Sequence, residues 1–136
     1  MNSAVAAEAI IIKNNQALII KRRPNDVHNP GTWDIPGGRL EPGEDPSQGI
    51  KREAKEEVNL DIEIILPIDV QHFTRQDGQV ITMIIYLCRP VSEEVKLSEE
   101  HTEYKWVNLD NLDDSFPKWI VPVLKNIKKF HLDNYL

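Results

Sequence analysis

The sequence predicts an α/β fold, arranged as an α/β/α sandwich. Three observations support this prediction: two aliphatic, β-branched runs near the N-terminus, a capped helical segment in the middle, and a second pair of apolar runs followed by an amphipathic segment. A chain of 136 residues with 40% hydrophobic residues buries roughly two-thirds of its unfolded surface as one domain. Because no repeat, linker or long block of like charges divides the sequence, we expect residues 1–136 to form a single domain.

The first predicted element is a hairpin. Residues 4–12 and 16–23 are β-branched and aliphatic, which is typical of strands, and Lys13-Asn14-Asn15 between them predicts a turn. Residues 24–43 are dense in Pro, Gly, Asn and Asp, which predicts an ordered loop of the kind that carries functional groups. Within this loop, residues 33–35 predict a short strand.

A helix is predicted to follow this loop. Asp45 suits the N-cap, where its carboxylate accepts backbone N–H bonds, and Pro46 suits the first helical position because a donor there has no partner within the helix. We expect the helix to run to about Val58. Asn59 is expected to close it, since asparagine tolerates the left-handed conformation.

The second half of the chain predicts another hairpin and a final helix. Residues 60–75 and 79–89 are apolar-rich strands, and Asp77-Gly78 between them predicts a tight type I′ turn. Residues 104–109 predict one more short strand. Residues 117–130 predict a closing amphipathic helix that is interrupted near Pro122.

Composition and charge exclude several functions. The net charge of -6 argues against sequence-independent binding to nucleic acid polymers, which requires a basic face. The first residues lack the basic region of a signal peptide, and no stretch approaches the ~18 apolar residues of a membrane span. We therefore expect a soluble, cytoplasmic protein. The single cysteine, Cys88, lies in an apolar run and is expected to be a buried side chain without a catalytic role.

Acidic residues cluster in the last turns of the predicted helix. Glu53, Glu56 and Glu57 stand at positions i, i+3 and i+4, so their carboxylates share one helix face and repel one another. A bound hard cation with oxygen ligands would reverse that repulsion. A solvated, charge-rich helical turn is the alternative interpretation of this segment taken alone.

A longer motif decides between these interpretations. Residues 38–60 match the Nudix box G-x5-E-x7-R-E-U-x-E-E-x-G-U, in which U is aliphatic, and the chain resembles the Nudix hydrolase family. Asn59 replaces the last glycine, which is a mild change because asparagine tolerates the same backbone geometry, and Ala54 is a small member of the aliphatic class. The remaining positions are filled as the motif requires, by Gly38, Glu44, Arg52, Glu53, Glu56, Glu57 and Leu60.

The resemblance implies a Nudix fold with a mixed β-sheet and a metal-dependent reaction. It implies that Mg²⁺, with Mn²⁺ as a substitute, is held by Glu53, Glu56, Glu57 and a carbonyl near Gly37, and that water attacks a phosphoanhydride in line. Arg52 can pair with Glu44 or Glu56 and orient the carboxylates.

A general base in the family often lies in the loop after the long hairpin. Glu99, Glu100 and Glu103 stand there in this sequence, and we predict Glu100, with an ordinary exposed loop acid as the alternative.

The resemblance extends beyond the box to MutT-type nucleoside triphosphate pyrophosphohydrolases, from IIKRRPNDVHNPGTWDIPGG through YKWVNLDNLDDSFP. In that comparison Arg23, His28 and Arg39 are candidate substrate contacts, against the alternative of solvated surface residues. Ile120 stands where oxidised-guanine enzymes carry a base-reading asparagine, which disfavours 8-oxo-dGTP as substrate. Trp33 and Trp119 are candidates for stacking on a base, although core packing is favoured.

Three functions follow from these features. The first is hydrolysis of a (d)NTP to (d)NMP and pyrophosphate in nucleotide pool housecleaning. The second is a pyrophosphatase for ADP-ribose or a nucleotide sugar, which the shortness of the chain modestly disfavours. The third, a catalytically silent nucleotide-binding domain, is disfavoured because all the acidic residues of the box are present. The expected partner is a small nucleotide, and the sequence leaves open a monomer or a homodimer.

Overall fold

The computed structural model of the protein describes residues 3–92 and 94–136. Its strands and helices, in chain order, are β1 Ser3–Lys13, β2 Gln16–Arg22, β3 Trp33–Asp34, β4 Gly37–Arg39, α1 Pro46–Val58, β5 Ile62–Thr74, β6 Val80–Pro90, β7 His101–Asn108 and α2 Val121–Lys129. Two short 3₁₀ helices, Lys118–Ile120 and Leu132–Tyr135, flank α2. Neither α-helix in this part of the chain is long and apolar enough to cross a membrane.

The sheet is mixed, as the sequence led us to expect. β1 runs parallel to β6 along most of its length, and β6 pairs antiparallel with β5. β1 also pairs antiparallel with β4, while β2 pairs antiparallel with β3 and β7. β1 and β2 pair only next to their turn, at Ile12 and Lys13, so the predicted hairpin opens and its two strands join different parts of the sheet.

Each face of the sheet is covered by one helix, because side chains along a strand alternate between its two faces. The α1 side buries Ala7, Ala9 and Ile11 of β1 against Ile50, Ala54 and Val58. The opposite side buries Ala6, Ile10 and Ile12 of β1 against Phe116, Ile120 and Val123. This layering confirms the predicted α/β/α sandwich.

The boundaries of α1 follow the local sequence. The Asp45 carboxylate accepts a hydrogen bond from the Ser47 N–H at 2.9 Å, and Pro46 is the first helical residue. Asn59 ends the helix in the left-handed conformation, with φ 62°, and donates its N–H to the Lys55 carbonyl at 3.1 Å. The predicted caps are therefore confirmed, and they fix where the acidic end of the helix lies.

Two local predictions need correction, and one short strand was missed. The turn between β5 and β6 is not type I′, which requires two residues with positive φ; at Asp77-Gly78, Gly78 alone has one. The Asp77 carboxylate instead accepts the Gln79 N–H at 3.1 Å and supports a longer loop. Pro122 lies in the first turn of α2 rather than interrupting a helix. The strand β4, inside the box, was not predicted.

Candidate functional site

The core of the candidate site is the junction between the C-terminal half of α1 and β4. The Gly37 N–H donates to Glu57 Oε1 at 3.0 Å, which ties the strand to the helix. A Cβ atom at Gly38 would lie 3.1 Å from both carboxylate oxygens of Glu53. At Gly37, where φ is +154°, a Cβ atom would meet Glu8 Oε2 at 2.1 Å. Glycine at both positions therefore lets the β4 backbone pack directly against carboxylates.

Glu57 and Glu53 form a desolvated pair at this junction. Glu57 is only 6% exposed, and burial, followed by the charge of Glu53, raises its pKa well above the ordinary value. Burial is also the largest cause of the raised pKa of Glu53. Without a cation the pair favours keeping a proton, because two adjacent carboxylates do not both ionise readily.

A hard divalent cation suits this donor set. Oxygen ligands are what Mg²⁺ and Mn²⁺ prefer, and a cation would relieve the repulsion within the Glu53–Glu57 pair. In the part of the chain that the structure describes, no three His, Cys, Asp or Glu side chains are already grouped to hold a metal ion. The fit therefore rests on the buried carboxylate of Glu57, the partly buried carboxylate of Glu53 and the adjoining β4 backbone.

Arg52 holds the surrounding acids in place. Its Nε donates to Glu44 Oε2 at 2.8 Å and its Nη2 to Glu44 Oε1 at 2.9 Å. Its Nη1 contacts Glu56 Oε2 at 3.1 Å and Glu53 Oε1 at 3.2 Å. The hydrogen bonds from Arg52 lower the pKa of Glu44 to about 2. Arg52 thus pairs with both Glu44 and Glu56, the two partners that the sequence left open.

Glu56 lies apart from the buried pair. Its side chain is 60% exposed and reaches Arg52 rather than Glu57. Its charge still contributes to raising the pKa of Glu53, after larger causes. The role of Glu56 as a metal ligand stays a prediction.

The loop before β7 brings Glu100 toward this junction. The Lys96 and Ser98 N–H groups donate to the Val58 and Glu57 carbonyls, both at 3.0 Å, and the Arg23 N–H donates to the Glu100 carbonyl at 2.9 Å. After burial and the charge of Glu53, the charge of Glu100 is among the causes that raise the pKa of Glu57. Of the other two candidate bases, Glu103 pairs with Lys21 at 3.3 Å. Glu99 is exposed, as is Glu100 itself, so the choice of Glu100 as the base stays a prediction.

The three candidate substrate contacts occupy different positions. Arg23 is anchored beside Glu100 through its backbone, and its Nε lies 3.7 Å from Asp26 Oδ2. Arg39 is exposed and lines an open groove of about 670 Å³ together with Leu40 and Thr82. His28 is exposed in the loop before β3, where its backbone N–H donates to Asp26. Arg39, the last residue of β4, thus lies on the strand that forms the junction, and Arg23 is joined to Glu100 through its backbone. The roles of Arg23, His28 and Arg39 as substrate contacts stay predictions.

Both tryptophans pack against the core on the α2 side, as favoured from the sequence. Trp33 and Trp119 are partly buried against that cluster, and Ile120 is fully buried within it. Cys88 is buried as well, and burial raises the pKa of its thiol to about 12. This is the expected behaviour of a structural, unreactive cysteine.

Sequence reasoning missed Glu8, Asp34 and His101. Glu8 lies on the α2-facing row of β1, between Ala6 and Ile10, and burial followed by the charge of Asp34 raises its pKa well above the ordinary value. Burial also raises the pKa of Asp34. Glu8 could have been identified from the sequence, because it is an acidic residue at a core-facing position of a predicted strand. His101 gave no comparable signal, because its place beside Glu57 depends on the tertiary structure.

Comparison with known proteins places the chain among hydrolases that act on acid anhydrides. Residues 3–127 match the family model described as the NUDIX domain, and the chain belongs to this family.

Two relatives and one solved structure illustrate this membership. The chain is 31% identical over 113 residues to the nucleoside triphosphatase NudI of Escherichia coli, covering 75% of this chain and 80% of that protein. It is 32% identical over 114 residues to the ADP-ribose pyrophosphatase of Methanocaldococcus jannaschii, covering 82% of this chain and 66% of that protein. The crystal structure of a MutT protein from Methanosarcina mazei has a TM-score of 0.82 at 26% identity, covering 95% of both chains.

Proposed function

We propose that this protein hydrolyses a nucleoside triphosphate to the monophosphate and pyrophosphate, with Mg²⁺ as cofactor and Mn²⁺ as a substitute. The observation that carries the proposal is the desolvated pair of Glu53 and Glu57 packed against Gly37 and Gly38. This arrangement stabilises a divalent cation better than it stabilises two bare carboxylates.

The residues have distinct tasks in the proposed reaction. Glu53 and Glu57, with Glu56 and a carbonyl near Gly37, would hold Mg²⁺, which when bound neutralises the phosphate charge and lowers the pKa of water. Glu100 accepts a proton from the attacking water.

The chemical step forms a bond from the water oxygen to phosphorus and breaks the phosphoanhydride P–O bond, whose electron pair leaves with the departing phosphate group. Arg52 and Glu44 act by orienting the carboxylates, while Arg23, His28 and Arg39 are the proposed contacts to the substrate.

The choice of a triphosphate rests on likeness to relatives. NudI is named as a nucleoside triphosphatase, and the chain spans 80% of its length. The alternative, a pyrophosphatase for ADP-ribose or a nucleotide sugar, is favoured by the M. jannaschii relative at similar identity. A silent nucleotide-binding domain is disfavoured, because the buried carboxylates would then repel without compensation.

We further propose that residues 1–136 work as one domain, as a monomer or homodimer in the cytoplasm, on small nucleotides rather than on nucleic acid polymers or membranes. The acidic net charge of -6 supports the exclusion of polymers.

The experiment is a substrate panel. Purified protein is incubated with Mg²⁺ and each (d)NTP, 8-oxo-dGTP, ADP-ribose and nucleotide sugars, and the products are separated by chromatography. We expect monophosphate and pyrophosphate from one or a few triphosphates, with 8-oxo-dGTP not preferred. Preferential cleavage of ADP-ribose or a nucleotide sugar would move the enzyme to the alternative class, and nucleotide binding without turnover would support the silent domain.

A further inference from the structure

His101 is a buried imidazole beside the acidic junction for which the proposed mechanism has no task. It is the first residue of β7, and its side chain is only 4% exposed. Its Nε2 atom lies 3.6 Å from Glu57 Oε2. Its Nδ1 atom is buried and has no hydrogen-bond partner within residues 3–92 and 94–136. A fully buried imidazole in this position requires a physical reason.

The Nε2 atom faces the Glu57 carboxylate. When Glu57 is ionised, which is the state that binds a cation, its Oε2 atom accepts a hydrogen bond, so an Nε2–H group facing it is favourable and a bare Nε2 lone pair is not. The neutral ring with its proton on Nε2 and the doubly protonated ring both present this donor. The 3.6 Å separation is longer than a formed hydrogen bond, so forming one requires a small movement of either side chain.

The backbone holds the His101 ring rigidly with respect to α1. The His101 N–H donates to the Ser98 carbonyl at 3.3 Å, and the Ser98 N–H donates to the Glu57 carbonyl at 3.0 Å. His101 also pairs with Arg22 across β2 and β7. The imidazole therefore approaches Glu57 from the β7 side, while the Gly37 N–H reaches the other carboxylate oxygen from β4.

We propose that His101 is a positioning residue that, together with the Gly37 N–H, fixes the orientation of the Glu57 carboxylate for a divalent cation. Groups that hydrogen-bond to a metal-ligating side chain typically change metal affinity or activity by about 10- to 100-fold when removed. Because His101 follows Glu100 directly, the contact between His101 and Glu57 also helps to position Glu100, the proposed general base, relative to α1. The inference rests on the proposed function only in taking Glu57 to be a ligand of the cation.

The test compares three replacements of the imidazole. Gln at this position reaches roughly where Nε2 lies and keeps a donor, Asn reaches only as far as Nδ1, and Phe keeps the ring shape without a donor. The control is H131N, at an exposed histidine whose left-handed backbone asparagine tolerates. Binding of Mn²⁺ alone is measured by electron paramagnetic resonance, and kcat and KM are measured with the preferred nucleotide.

We expect H101F and H101N to weaken Mn²⁺ binding by about 10-fold or more and to lower kcat with little change in KM. H101Q should recover most of both, and H131N should match the wild type. Wild-type Mn²⁺ affinity in folded H101F or H101N, or an equal loss in H101Q and H101N, would overturn the proposal. If H101F does not fold, as judged by circular dichroism, the comparison of H101Q with H101N decides.

The two readouts separate this proposal from the proposed function. Loss of Mn²⁺ affinity in H101N, together with no turnover of any nucleotide by the wild type, would support the role of His101 and overturn the proposed reaction. Turnover with unchanged Mn²⁺ affinity in H101N would support the reaction and overturn the role of His101. Absence of Mn²⁺ binding to the wild type would overturn both.

Discussion

The buried carboxylate of Glu57 should make the metal-free protein less stable than an otherwise identical protein with a neutral amide. In E57Q the amide oxygen can still accept the Gly37 N–H, which lies 3.0 Å from Glu57 Oε1, but the charge next to Glu53 is gone. Removing a buried charge that lies next to a second carboxylate, while keeping the side-chain shape and the hydrogen bond from Gly37, should stabilise the folded state by about 1–3 kcal/mol. For a chain of this length that is roughly 3–10 °C in Tm.

The stability advantage of E57Q over the wild type should increase with pH. Burial and Glu53 raise the folded-state pKa of Glu57 above its ordinary value of 4.5, so the penalty is absent below that value and grows as the pH rises through the folded-state pKa. The advantage of E57Q should therefore be present at pH 8 in EDTA and vanish near pH 4. Adding Mg²⁺ should offset most or all of this advantage, since a ligand at about 10 to 100 times its Kd stabilises the wild type by about 1.4–2.7 kcal/mol.

Thermal unfolding followed by circular dichroism, in EDTA and in Mg²⁺ from pH 4 to pH 8, measures these differences. The matched control is E56Q, because the Glu56 side chain is 60% exposed and paired with Arg52; we expect no stabilisation in EDTA. The reasoning would be refuted if E57Q lowered the Tm at pH 8 in EDTA, or if Mg²⁺ stabilised E57Q as much as the wild type.

Three further substitutions test separate parts of the site. G38A adds a Cβ atom 3.1 Å from the Glu53 carboxylate, so we expect at least about 10-fold lower turnover in a folded protein. The control is G43A, which has a positive φ but nothing within 4 Å of the added Cβ atom. Equal turnover in the two variants would contradict a role for the contact with Glu53. E100Q should lower kcat about 100-fold or more, whereas E103Q, which loses only the 3.3 Å ion pair with Lys21, should leave kcat unchanged. Similar kcat values for the two variants would rule out Glu100 as the general base. E8Q should raise the Tm at pH 8 in EDTA and not near pH 4, because burial, followed by Asp34, raises the pKa of Glu8; a lower Tm at pH 8 would show that the Glu8 charge is compensated.

Local signals in the sequence predicted the parts of the fold that local interactions determine. Asp45, Pro46 and Asn59 defined the helix because caps depend on neighbouring residues. The pairing of Arg52 with Glu44 and Glu56 was also predictable, because the box fixes their spacing along one helix and the loop before it.

Tertiary contacts explain what the sequence did not reveal. The parallel pairing of β1 with β6 joins residues that are 77 positions apart, such as Ser3 and Val80, and no local pattern specifies it. The strand β4 forms because β1 offers an adjacent edge, although Gly37 and Gly38 have low strand propensity. His101 lies beside Glu57 because the backbone of Ser98 hydrogen-bonds to both residues, and no sequence pattern predicts those bonds.

The most direct test of the account is turnover of the preferred triphosphate by the wild type, E57Q and E103Q, each in Mg²⁺ and in EDTA. We predict monophosphate and pyrophosphate from the wild type and E103Q in Mg²⁺ only, with E57Q slower by orders of magnitude while still folded. Wild-type turnover that persists in EDTA, or E57Q turnover equal to the wild type, would contradict a metal-dependent hydrolase centred on this buried carboxylate pair.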